Sequence, residues 1–173
     1  MRLASRLAAF QATAKPRAQT MPAAFCGTLK DDAQVSATDE AMASLAPGDL
    51  TGLAVLVVDD HYDTVEVLVE YLRSLGATVI GLRSAKAAMG YALTARFDAV
   101  LVDLRMPGED GRWLLRELRS SNAPSAQAPV FAVSGERRDE PSQADGFAGY
   151  FLKPVNLDTL VAALSALPRR PRI

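Results

Sequence analysis

Four short blocks of this chain end in residues suited to a metal ion and a phosphoryl group: Asp59-Asp60, Asp103, Ser134 and Lys153. If the three carboxylates meet, they need compensation, because two unit charges about 4 Å apart repel by roughly 4 kcal/mol at an effective dielectric of 20. A cation is therefore implied. An all-oxygen ligand set favours a hard ion, and Mg2+ suits a site that keeps several waters and shares a substrate phosphate. Lys153 offers a mobile positive charge and Ser134 a hydroxyl donor, each able to reach a phosphoryl oxygen. An aspartate whose charge is offset by metal and lysine can attack phosphorus through a loose in-line transition state. Asp103 is the candidate nucleophile.

Each residue also has a simpler explanation. Asp59 and Asp60 suit a helix N-terminus, where the macrodipole favours acids. Lys153 could be a surface lysine in a turn and Ser134 an ordinary strand-end serine. The combination of blocks outweighs these separate explanations. His61 fits an exposed or capping role, since the oxygen set is complete without it. Trp113 is expected to pack against a sheet, and Cys26 has no evident role.

The positioning elements begin at Leu53, where short apolar runs alternate with segments of helical period, the pattern of βα units around a parallel sheet. Strands are expected over Leu53 to Val58, Ala77 to Leu82, Ala99 to Val102, Pro129 to Val133 and Gly149 to Leu152. The first is apolar throughout, as a strand buried on both faces would be. The helix after it carries Val65, Leu68, Val69, Leu72 and Leu75 on one stripe, with Gly76 as its C′ residue. Further helices are expected over about 84–94, 112–120 and 157–167, with Ser84 and Asn156 as N-caps. In an open α/β sheet, ligands bind beyond the carboxyl ends of the strands. Those ends are where the four polar blocks fall.

Length and charge narrow the remaining choices. At 173 residues, one core with a tail is expected, burying roughly 65 to 70 per cent of the unfolded surface. A formal net charge of −1 without a polybasic stripe gives no push toward nucleic acid. One cysteine excludes an intrachain disulfide and fits a reducing cytoplasm. Every apolar run is broken well before the roughly 20 residues needed to span a bilayer. Residues 1–50 are Ala/Ser/Thr-rich and punctuated by Pro and Gly, so they are assigned to an N-terminal extension. Arg2, Arg6, Lys15, Arg17 and Lys30 with Leu3, Leu7 and Phe10 give it a short basic amphipathic character. A disordered extension, a targeting peptide and a partner- or membrane-touching helix all suit it. A start of translation at Met42 is a further alternative.

The blocks Val55-Leu56-Val57-Val58-Asp59-Asp60, Val100-Leu101-Val102-Asp103-Leu104-Arg105-Met106-Pro107-Gly108-Glu109-Asp110-Gly111, Phe131-Ala132-Val133-Ser134-Gly135 and Tyr150-Phe151-Leu152-Lys153-Pro154 resemble, in order and near-usual spacing, the receiver domains of two-component response regulators. The resemblance covers residues 51–168, leaving 169–173 as a C-terminal end. It implies a flavodoxin-like, doubly wound (βα)5 three-layer sandwich with sheet order 2-1-3-4-5. It makes Asp103 the phosphoacceptor and Asp59 with Asp60 the acidic pair for Mg2+, and gives the metal the backbone carbonyl of Arg105. Ser134 and Lys153 would contact phosphoryl oxygens. Tyr150 falls on the switch-aromatic position, beside the simpler alternative of packing on the sheet. The implied partners are a histidine kinase or histidine phosphotransfer protein and an unidentified downstream protein, with a homodimer left open.

The stretch between Ser134 and Lys153 is about three residues shorter than usual in that family. Pro141 and Gly146 fall where a helix should run, so a shortened fourth helix is expected. Arg105 and Glu136, two residues past Asp103 and Ser134, fall on positions that in that family flank the access route of the attacking water, where opposite charges could pair. The expected function is a stand-alone receiver in a phosphorelay, without an output domain, and not an enzyme in its own right. A receiver docking without phosphorylation is the main alternative. An aspartyl-phosphate phosphohydrolase would want a carboxylate where Arg105 stands. A flavodoxin-like cofactor binder would want a Ser/Thr/Gly-rich loop where Asp59-Asp60-His61-Tyr62 stands.

Overall fold

The computed structural model describes residues 48–136 and 145–169. Five strands, β1 (Ala54–Val58), β2 (Thr78–Leu82), β3 (Ala99–Asp103), β4 (Val130–Ser134) and β5 (Gly149–Leu152), form one sheet in the order β2-β1-β3-β4-β5. All its pairings are parallel. The helices described are α1 (Tyr62–Ser74), α2 (Ala85–Thr94), α3 (Gly111–Ser120) and α4 (Leu157–Ser165). This is the flavodoxin-like order expected from the sequence. The extension before residue 48, with Cys26 and Met42, and residues 137–144, which include Pro141 and most of the stretch where a shortened helix was expected, lie outside the described residues.

Alternation within the strands builds two cores. Val55 and Val57 of β1 join Leu101, Val133 and Phe151 beneath α1 and α4. Leu56 and Val58 join Val100, Val102 and Val130 beneath α2 and α3. A strand that feeds both faces must be apolar throughout, which accounts for the unbroken run in β1. The first core starts at Leu50, fully buried, whose N–H donates to the Leu75 carbonyl. Trp113 packs at the margin of the second core, as expected.

Local signals fix the helix ends. Ser84 and Asn156 accept hydrogen bonds from the N–H groups of Ala87 and Thr159, so both expected N-caps form. Asp110 does the same for Trp113 N at the start of α3. Gly76, at φ 92°, closes α1 in the left-handed region that a side chain disfavours.

Gly111 bears most directly on the site. A Cβ there would lie 2.5 Å from the Asp103 carbonyl oxygen, so α3 can approach the end of β3 only at a residue without a side chain. Gly111→Ala should destabilise the fold by about 1–3 kcal/mol, as overpacking does. Urea denaturation would measure it. Because the displaced backbone is that of Asp103, phosphoryl uptake should fall as well.

Candidate functional site

Register explains which side chains meet. Val58 pairs with Val102, Asp103 with Val133, and Val133 with Phe151, so Asp59 and Asp103 end their strands at one level. Lys153 stands two residues beyond Phe151. Residues two apart share a face, which puts Asp59, Asp103 and Lys153 on the side of Val57, Leu101 and Phe151. Backbone hydrogen bonds extend the sheet past the strand ends: Asp59 N donates to Leu82 O, Leu104 N to Val133 O and Lys153 N to Ser134 O.

Asp59 is 2% exposed and Asp103 3%, and Lys153 Nζ bridges them, at 2.6 Å from Asp59 Oδ2 and 2.7 Å from Asp103 Oδ2. The other oxygens are held by the chain itself. Asp59 Oδ1 accepts from His61 N at 2.9 Å, and Asp103 Oδ1 from Arg105 N at 3.0 Å. Burial raises the pKa of Asp103 above the ordinary carboxylate range, against the opposing pull of Lys153 and the Arg105 N–H. Burial would lower that of Lys153, but its hydrogen bonds to Asp103 and Asp59 outweigh this and hold it above the usual lysine value. Lys153 is thus a fixed cation.

A second cation fits here. Asp60 Oδ1 is buried and accepts no hydrogen bond, with the His61 ring nitrogen 2.9 Å away as a polar neighbour. One ligand atom from each of Asp59, Asp60, His61 and Asp103 lies within 4.8 Å of every other. An oxygen-dominated set of this kind suits Mg2+.

The remaining expected residues surround this edge. Ser134 is fully buried at the end of β4, and its Oγ accepts from Glu136 N at 3.3 Å. Arg105 and Glu136 do meet, with Nη1 and Oε1 at 3.4 Å. Tyr150 is half-buried and its hydroxyl donates to the Glu136 carbonyl at 2.8 Å, tying β5 to the loop after β4. His61, largely exposed, turns its Nδ1 onto the acidic pair. Arg83 was not anticipated from the sequence. Its Nε and Nη2 each donate to the Asp60 carbonyl at 3.2 Å, fixing the backbone that carries Asp60. It follows β2, the neighbour of β1, so the strand-end rule that selected the other residues also points to it.

A 2-1-3-4-5 parallel sheet whose carboxyl edge gathers two buried aspartates and a bridging lysine defines a receiver-type signalling domain. The sequence model of the response regulator receiver domain matches residues 55–165, and the chain belongs to that family. It is 35% identical over 100 residues to a response regulator receiver protein of Anaeromyxobacter sp., covering 58% of this chain and 42% of that protein. It is 34% identical to the transcriptional regulatory protein TcrA of Mycobacterium tuberculosis, covering 72% of this chain and 49% of TcrA. The virulence sensor protein BvgS of Bordetella bronchiseptica is 32% identical, over 69% of this chain and 11% of BvgS. The chain therefore spans from about a tenth to about half of these relatives.

Among solved structures, the receiver domain of sensor histidine kinase PA1611 from Pseudomonas aeruginosa superposes with a TM-score of 0.60 at 28% identity, over 68% of this chain and 98% of that one. It carries a magnesium ion in its active-site cleft. Chemotaxis response regulator CheY4 of Vibrio cholerae matches at a TM-score of 0.60 and 26% identity, over 66% and 97% of the two chains.

Proposed function

We propose that this domain accepts a phosphoryl group from a phosphohistidine donor, a histidine kinase or a histidine phosphotransfer protein, onto Asp103 in the presence of Mg2+. The bond formed would change which downstream protein it binds. The observation that carries this is the buried Asp59–Lys153–Asp103 cluster beside an Asp60 oxygen that accepts no hydrogen bond. Asp59, Asp60, Asp103 and the backbone carbonyl of Arg105 would hold the metal. When bound, Mg2+ supplies positive charge that lowers the repulsion between the attacking carboxylate and the phosphoryl oxygens.

The chain's own residues do the rest. The Arg105 N–H orients the Asp103 carboxylate. Lys153, held charged by its two aspartates, can turn from the Asp103 oxygen to a phosphoryl oxygen as that oxygen becomes part of an acyl phosphate. Ser134 supplies a hydroxyl near the same edge. Tyr150, tied to the Glu136 carbonyl, links the loop after β4 to the sheet edge, so a movement of Ser134 and its loop would be felt at the β5 surface. A cytoplasmic setting, where such donors are charged from ATP, is part of this proposal. Incubation with a radiolabelled phosphohistidine phosphotransfer domain tests it: label should move to this chain with Mg2+ and stay on the donor with EDTA.

The Arg105–Glu136 pair joins residues two past Asp103 and two past Ser134, and should slow loss of the phosphoryl group if it restricts the attacking water. Both side chains are about half exposed, which limits the effect to that of a surface pair. Arg105→Ala and Glu136→Ala should each shorten the phosphoryl half-life by up to about fivefold. An unchanged half-life in both would remove the pair from the mechanism.

A further inference from the structure

His61 has the geometry of a metal ligand within the acidic edge. Its Nδ1 lies 2.9 Å from Asp60 Oδ1 and 3.2 Å from Asp59 Oδ1. Two ligands at right angles on an ion, each about 2.1 Å from it, are separated by about 3.0 Å. The imidazole nitrogen thus stands at the separation of a neighbouring ligand from both carboxylates. The Nδ1–Asp59 Oδ1 contact is a hydrogen bond when Nδ1 carries the proton, which a bound ion would replace, whereas Asp60 Oδ1 accepts none. The ring is otherwise exposed, with room to adjust.

Ligand type determines what such a site prefers. Carboxylate, carbonyl and water oxygens suit Mg2+, whereas an imidazole nitrogen adds affinity for Co2+, Ni2+ and Zn2+. We propose that His61 Nδ1 joins Asp59 and Asp60 as a ligand for borderline divalent ions, so that the site takes Ni2+, Co2+ or Zn2+ through the imidazole and Mg2+ through oxygen alone. The inference rests on the acidic edge being a divalent-cation site. Its consequence is a receiver whose loading depends on which divalent ion is abundant, since a tightly held borderline ion would exclude Mg2+.

The chain has a single histidine, so in tag-free protein any imidazole signal comes from this residue. Titration calorimetry of the full chain with Mg2+ and with Ni2+, on wild type, His61→Ala and His61→Phe, separates the contributions. Expected is a loss of about tenfold or more in Ni2+ affinity in both variants, with Mg2+ affinity within twofold of wild type. The His61 imidazole resonances should also be paramagnetically shifted by Co2+ in wild type. Equal losses for both ions, or none, would overturn the proposal. So would a rise in affinity for both ions, which would make His61 a cation competing with the metal. Failure of Mg2+ to bind wild-type protein would instead overturn the divalent-cation site itself, and the proposal with it.

Discussion

Lys153→Met should cost the metal-free protein stability of the order of 3 kcal/mol, because it removes the ammonium that bridges two carboxylates almost fully withdrawn from water. Part of that cost would be escaped by protonation of Asp103, whose pKa burial already raises. Mg2+ should therefore stabilise the variant more than it stabilises wild type, since it replaces a missing cation rather than adding a second one. Denaturant melts with EDTA and with saturating Mg2+ would show this as a larger metal-dependent shift in the variant. Phosphoryl uptake should fall by about a hundredfold or more even in Mg2+, because the lost ammonium is the donor aimed where phosphoryl charge gathers. A variant that melts like wild type in EDTA would mean that Lys153 compensates neither aspartate.

Asp103→Asn should abolish phosphoryl uptake, since an amide oxygen does not form the acyl phosphate. It should also change how stability depends on pH. The folded state keeps a proton on Asp103 to a higher pH than the unfolded state does, because burial disfavours its ionised form. In the interval just above the ordinary carboxylate range the native protein thus holds more protons than the unfolded chain. Stability of metal-free wild type should accordingly fall as pH rises through that interval. Asp103→Asn removes this dependence, so its stability curve should be flatter there and its metal-free melting temperature higher at neutral pH. Stepped-pH denaturation in EDTA would resolve the two curves, and a steeper fall in the variant would contradict the burial argument.

The parts of the site visible in the sequence are those that strand ends control. Asp59, Asp103 and Lys153 each follow an apolar run in a βα repeat, and a parallel sheet brings such positions to one edge whatever lies between them. Glycines set the helix-to-sheet approach less visibly. Gly111 is preceded by Asp110 and Gly108, so in sequence it reads as a loop residue. Only the position of α3 over the Asp103 carbonyl shows why a side chain cannot stand there. His61 lies one residue past a complete oxygen set, and its proximity to both acids depends on a side-chain rotation that spacing does not encode. Leu50 carries no periodic signal, being a lone leucine between Asp49 and Thr51, yet it is fully buried in the first core while its N–H bonds the Leu75 carbonyl at the end of α1. The Ala-rich α2 shows the same limit: Ala85, Ala88 and Ala92 are buried through close approach to the sheet, while Tyr91 and Leu93 of the same helix face outward.

The claim that Asp103 is a Mg2+-dependent phosphoacceptor is tested most directly by the intact mass of the protein after incubation with Mg2+ and acetyl phosphate. Asp103→Asn and an EDTA sample would be run alongside. Expected is a single phosphoryl adduct on wild type, released by hydroxylamine and missing from both controls. Folded, Mg2+-binding protein that gains no adduct, or an adduct that persists in Asp103→Asn, would contradict the assignment and favour a domain that docks without phosphorylation or accepts the group elsewhere.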